Sequence, residues 1–331
     1  MLCGYILNGI LVWLIFKRTA KELKVYSKIL LQTCFIDFVL LTVIGVVQPI
    51  YVVRRGWNLL IPNGPLRTIS HPWCYVLQAS WFYMIYFSII TNCVPFIYRY
   101  LIICRMKTLS AFHYFLMLAG CGVVVAIYMI LHTWSTYPHE EYLQEQNYSI
   151  VIELLGSDLD PSEFKIGLMM KAHSSKWALA CAYISAFEAI TYVIIVVCGI
   201  KIKNFVKQSA YQTRQNARAQ EAHRQLALVM ILQSILPIVE LSSTIMCNIV
   251  SNLADSLADS SGNIYMSVFL LIPFHWVPLL NPVVTIWVIK PYRNFFIRCG
   301  KKRIRPTSTF GATSHTATGP GGAASSALAI G

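Results

Sequence analysis

Seven stretches of this chain run almost without charge, and each reads as one helix across a bilayer. They occupy about 1–16, 29–53, 73–98, 110–131, 177–200, 226–250 and 264–289. The hydrocarbon layer takes about 20 apolar residues of helix, so the first stretch is short and the others are long enough. The last stretch carries Pro273, Pro278 and Pro282, with Asn281 directly before the third. Proline in a spanning helix frees backbone carbonyls that neighbouring helices must satisfy. The pattern predicts an all-α membrane protein, a seven-transmembrane helix bundle over 1–300. From Thr307 the chain turns to Ser, Thr, Gly and Ala, and 301–331 reads as a disordered cytoplasmic tail.

Composition agrees with the pattern. Charged residues make up 12% of the chain and apolar ones 56%, against about 25% charged in an ordinary soluble domain. The net charge of +13 does not point to nucleic acid, because the basic residues stand in short loops beside the spans. Of the 27 Lys and Arg, 21 fall in the segments 17–28, 99–107 and 201–224 and in the tail from Lys290. Nine acids fall on the opposite face, seven of them between Glu140 and Glu163. By the positive-inside rule the N-terminus is outside and the C-terminus cytoplasmic. Asn147-Tyr-Ser149 is an N-glycosylation sequon in the acidic loop assigned to the outside.

Ten cysteines are scattered singly, without a Cys-x-x-Cys pair, so no zinc or redox site is expected. No Ser-His-Asp, His-Glu-x-x-His or Gly-rich phosphate loop appears, so catalysis has no support. No lysine stands between Ile264 and Ile289, which argues against a retinal Schiff base. No cofactor is expected. The absence of an internal repeat counts against an inverted-repeat transporter.

Polar residues inside the spans carry the candidate chemistry. Asp37, Glu188 and Glu240 are the acids there, and each is costly in lipid unless it faces the bundle interior. Asn8 stands nine residues before Lys17, Asp37 nine after Lys28 and Asn281 nine before Lys290. At the helical rise, each is about 13 Å above its cytoplasmic boundary. Asn92 on the third span could join this layer. Two readings stay open. One is a hydrated network of Asn8, Asp37, Asn92, Asn281 and Pro282 that couples the outer and inner halves, with a monovalent cation as an option at Asp37. The other is static interhelical hydrogen bonding.

Nearer mid-membrane, Glu188, Glu240 and His275 suggest a ligand pocket walled by Trp81, Tyr83, Tyr86, Phe274 and Trp276. Each ring can equally be core or lipid-facing. After the last span, Pro291–Cys299 suggests a short amphipathic helix along the membrane, with Cys299 a candidate for palmitoylation.

Several short pieces carry a family resemblance. They are Pro95-Phe-Ile-Tyr-Arg-Tyr-Leu101, Leu280-Asn-Pro through Lys290-Pro-Tyr-Arg293, Gly4-Tyr-Ile-Leu-Asn8, Gln48-Pro49 and Asn63-Gly-Pro65. Together they resemble the nematode serpentine chemoreceptors, class delta most of all, over nearly all of 1–300. The resemblance implies a G-protein-coupled receptor that takes a small chemical cue, sits among membrane lipid and acts on a heterotrimeric G protein. It places Arg99 at the G-protein contact and implies the plasma or ciliary membrane of a sensory cell. Tyr98 stands where many rhodopsin-like receptors carry an acid, and Thr285 where the last span usually carries tyrosine. Cys74 matches a bridging cysteine whose partner loop, His132 to Lys176, has none; the thiol is expected to stay reduced, with Cys247 as the alternative partner. The rival reading is a ligand-gated channel or transporter with Asp37, Glu188 and Glu240 along an ion path.

Overall fold

The computed structural model describes residues 1–19, 27–54, 57–107, 109–137, 166–171, 174–212, 225, 228, 232, 235 and 262–302. The chain divides into a large compact unit, Met1–Asn294, and a small one, Phe295–Gly331. Helix α1 spans Leu2–Arg18 and α2 spans Ser27–Val47. Strands β1 (Pro49–Arg54) and β2 (Trp57–Pro62) follow. Helices α3 (Trp73–Thr91) and α4 (Cys93–Ile103) together make the third span, and α5 runs Ala111–Thr136. After β3 (Leu168–Lys171) come α6 (Ser175–Gln212), α7 (Gly262–Val288) and α8 (Lys290–Lys302). Of the sixth apolar stretch, Gln225, Leu228, Leu232 and Ile235 are described, and all four are helical.

Among the described residues, four helical stretches are long and apolar enough to cross a membrane: Ser27–Val47, Trp73–Ile103, Ala111–Thr136 and Ser175–Phe205. Helix α5 shows how they sort their faces. Phe112, Leu116, Val123, Ile127, Ile130 and Trp134 are exposed at helical spacing, while Val125, Tyr128, His132 and Thr136 are buried. The outward stripe is apolar and the inward one carries polar atoms. That inversion suits lipid as the solvent.

Two spans depart from the expected boundaries. The second apolar stretch, expected to be helical over 29–53, ends as a helix at Val47. Gln48 turns with φ 43°, and Pro49 has no N–H to continue the ladder. The Ile50–Val53 run is then apolar because it is a strand. The turn needs Gly64: its N–H donates to Val47 O at 3.2 Å, and a Cβ there would stand 1.9 Å from Val46 O. Asn63 N–H also reaches Val47 O and Gln48 O, both at 3.2 Å.

The third stretch, expected as one helix over 73–98, is broken at Asn92 and runs on to Ile103. Pro95 lacks the N–H that would reach Thr91 four residues earlier. Around the break Thr91 Oγ1 donates to Phe87 O at 2.7 Å, and the Cys93 thiol to Ile90 O at 3.2 Å.

The three strands form one antiparallel sheet in the order β1-β2-β3, which the helical pattern did not anticipate. Gly167 N–H donates to Leu60 O at 2.9 Å, tying the strand after the long loop to the one after α2. Leu60 and Leu168 pack into the same cluster as Trp81, Tyr86, Tyr128, Ala180 and Ile184. The sheet therefore covers the core at the end of the bundle where α3 begins.

Candidate functional site

The proline in α7 organises a polar layer between spans one, two and seven. Pro282 has no N–H, so the carbonyl of Pro278, four residues earlier, loses its helical donor. Asn8 supplies one from α1: its Nδ2 donates to Pro278 O at 2.9 Å and to Gly4 O at 3.0 Å. One turn further along α7, Asn281 Nδ2 donates to Asp37 Oδ1 at 3.0 Å. Thr285 Oγ1 then donates to Asn281 O at 2.8 Å. Asn8, Asp37 and Thr285 are buried to within 1% of complete, and Asn281 is 7% exposed.

Asn92 is not brought into this layer by any side-chain bond described; it stands at the α3–α4 break, its N–H donating to Ile89 O at 3.2 Å. Asn8 Oδ1 and Asp37 Oδ2 are buried acceptors without a hydrogen-bond partner. Among the described residues, no group of three or more His, Cys, Asp or Glu side chains could hold a metal ion.

Toward the cytoplasmic boundary, Arg99 is 3% exposed on α4. Its neighbour Tyr98 packs edge-on against Tyr114, ring centroids 5.1 Å apart, and the Tyr114 hydroxyl donates to Gln32 Oε1 on α2. Thr19 Oγ1 donates to Ile15 O, so it accepts from Tyr292 Oη at 2.7 Å, joining the end of α1 to the start of α8. Gln225 Oε1 accepts from Lys290 N–H at 3.1 Å and so caps α8.

Toward the sheet, the core is aromatic. Trp81 packs with Phe82 at 4.9 Å and with His275 at 6.3 Å. His132 lies 4.7 Å from Phe82, 5.5 Å from Tyr128 and 5.7 Å from Trp177. Tyr86 meets Tyr128 edge-on at 4.7 Å, and Tyr83 stacks on Phe87 at 5.8 Å. Glu188 on α6 is 2% exposed, with Oε1 unpartnered. Trp276 does not join these rings: it is 53% exposed, which corrects its assignment to the pocket wall. Neighbours on a helix point about 100° apart, so His275 and Trp276 cannot share one face.

Glu240, Asn147 and Cys247 lie outside the described residues, as does the side chain of Cys299. Two buried groups escaped the sequence reading. His132 was placed in the loop because the fourth apolar run ends at Leu131, whereas α5 continues to Thr136. Gln78 is fully buried with both amide atoms unpartnered. A lone amide within an apolar span was the signal for it.

A multi-span helical bundle with a proline-bearing last span, tied by buried amides to spans one and two, is the architecture of a seven-transmembrane receptor. The chain belongs to the family described as serpentine type 7TM GPCR chemoreceptor Srd, whose model matches residues 1–298. Two similar proteins of Caenorhabditis elegans are serpentine receptor class delta-32 and class delta-3, each 21% identical to this chain. The first match covers 89% of this chain and 83% of the relative, the second 88% and 82%. The crystal structure of squid rhodopsin superposes with a TM-score of 0.57 at 17% identity, over 91% of this chain and 82% of that one. That likeness bears on the fold alone. The protein is thus an integral, multi-pass membrane protein of a receptor family, not an enzyme.

Proposed function

We propose that this receptor binds a small external chemical cue among the rings toward the sheet and activates a heterotrimeric G protein at its cytoplasmic face. The observation that carries this reading is the buried layer of Asn8, Asp37, Asn281 and Pro278. It lies along α7 between His275 and the Lys290 end, so a shift of α7 at one end must be accommodated by these bonds. A cue that fits one arrangement of the bundle better moves the population toward it. The unpartnered acceptors Asp37 Oδ2 and Asn8 Oδ1 admit a proton, a water molecule or a monovalent cation as part of that adjustment.

Arg99 is the proposed contact for the G protein, and the basic segments 201–224 and 290–305 add attraction to it and to anionic lipid. The N-terminus is assigned outside by loop charge. Glycosylation of Asn147, palmitoylation of Cys299, and residence in the plasma or ciliary membrane of an olfactory or other sensory cell belong to the same proposal. A G-protein activation assay with a chemical panel tests it, comparing wild type with Arg99→Ala. Cue-evoked activation should fall at least about tenfold in the variant. Responses that survive Arg99→Ala and track membrane current would favour the channel reading and sink this one.

A further inference from the structure

We infer that the cue is a cation, an organic ammonium held by Glu188 and the rings beside it. This rests on the proposed cue-binding role of the ring cluster and adds the chemical class of its ligand.

A buried carboxyl group is stabilised by a positive partner, by several donors or by a proton of its own. Glu188 is 2% exposed, and its Oε1 has no hydrogen-bond partner. The chain supplies no built-in counterion at that depth. No Lys or Arg occurs in residues 29–53, 73–98, 110–136, 177–200 or 225–289. The spans hold three acids and no permanent base. Asp37, by contrast, already receives the Asn281 amide at 3.0 Å. Glu188 is the described acid left over.

Its surroundings fit an ammonium group. Glu188 stands within electrostatic reach of Tyr128 and Cys181. Ala180 and Ile184, two turns and one turn before it on α6, pack in one cluster with Tyr86, Tyr128 and Trp81, and Phe187 joins the edge of that cluster. Tyrosine faces attract a desolvated cation, and the apolar remainder of such a ligand would lie against the rings. A carboxylate ligand would meet no Lys or Arg here, and of the three ligand types only an ammonium would match an ionised Glu188. The neighbouring ring of His132 is held on one side by Thr136, with its Nδ1 3.2 Å from Thr136 Oγ1, and it presents an unpartnered Nε2. Gln78 presents an unpartnered amide.

The test uses the purified full chain in lipid nanodiscs, without G protein, and three probes on one skeleton: 2-phenylethylamine, 2-phenylethanol and phenylacetate. Thermal stabilisation across a concentration series yields an apparent affinity for each. The amine should bind at least about tenfold more tightly than the alcohol, with phenylacetate weakest. Glu188→Gln should erase the preference of amine over alcohol, and Glu188→Asp should retain part of it. Equal or better binding of the alcohol or the acid by wild type overturns the inference, and so does an amine preference that survives Glu188→Gln. Absence of amine binding overturns it as well. The wild-type ranking decides the matter even if Glu188→Gln does not fold. An amine that binds in this way yet activates no G protein would refute the receptor mechanism and leave the ligand class standing. Activation by neutral or acidic cues alone would do the reverse.

Discussion

The layer around Asp37 and the buried polar groups Gln78, His132 and Glu188 lie in the same bundle, yet they differ in whether a side-chain bond runs from helix to helix. In the first, donors from one helix meet acceptors on another: the Asn8 amide meets the carbonyl freed by Pro282, and the Asn281 amide meets Asp37. Both keep open atoms, Asn8 Oδ1 and Asp37 Oδ2 in the first and atoms of Gln78, His132 and Glu188 in the second, but for the second no side-chain bond between helices is described. Matched polar atoms hold helices in register, because breaking them strands a buried group. Unmatched ones gain most from a molecule that arrives from outside. Burial by itself therefore does not separate a structural polar residue from a ligand-seeking one. Pairing does.

The largest test of this contrast is Asn281→Ala, which removes the donor to Asp37 Oδ1. It should lower unfolding stability by about 2 kcal/mol, within the range for a buried polar group left unsatisfied, measured by denaturation in mixed micelles. An unchanged midpoint would show that the layer is not a matched set. Asn8→Ala should cost less, about 1 kcal/mol, since it removes the unmet Oδ1 together with the two bonds the amide makes to Pro278 O and Gly4 O. The sharper experiment pairs it with Pro282→Ala. Alanine restores an N–H for Pro278 O, so Asn8→Ala should cost measurably less in that background. Equal costs in both backgrounds would break the link between Asn8 and the proline. At the small end, Gln78→Leu should be neutral or stabilise by up to about 1 kcal/mol, because it removes two unmet polar atoms from an apolar setting. A clear loss there would mean that Gln78 is already paired, and the two regions would no longer differ.

Much of the architecture was legible because lipid imposes a simple code. Charge-free runs of sufficient length mark spans, and loop charge orients them. The fixed helical rise also allowed depth to be counted, and it set Asp37 and Asn281 level before the 3.0 Å bond between them was seen. The sheet was hidden because Ile50–Val53 is as apolar as the helix it follows, and length alone cannot tell a strand from a helix continued through Pro49. The partnership of Asn8 with Pro278 was equally hidden. It depends on a carbonyl, and a carbonyl has no letter in the sequence. Trp276 failed as a pocket residue for a rotational reason: depth can be counted along a helix, but the side a residue faces depends on which neighbours the helix meets.

The single hydrogen bond from Lys290 N–H to Gln225 Oε1 has a mechanical consequence. Span seven ends at Val288, two residues earlier; Lys290 N–H then finds an acceptor on the side chain of Gln225, while the N–H groups of Tyr292 and Arg293 donate to Ile289 O. Two helices that are not neighbours in sequence thus share one joint. If span six draws its cytoplasmic end away, the bond from Lys290 N–H to Gln225 Oε1 must break, or α8 must follow. A probe placed at Asn294 would then register the displacement without touching either the cue or the G protein.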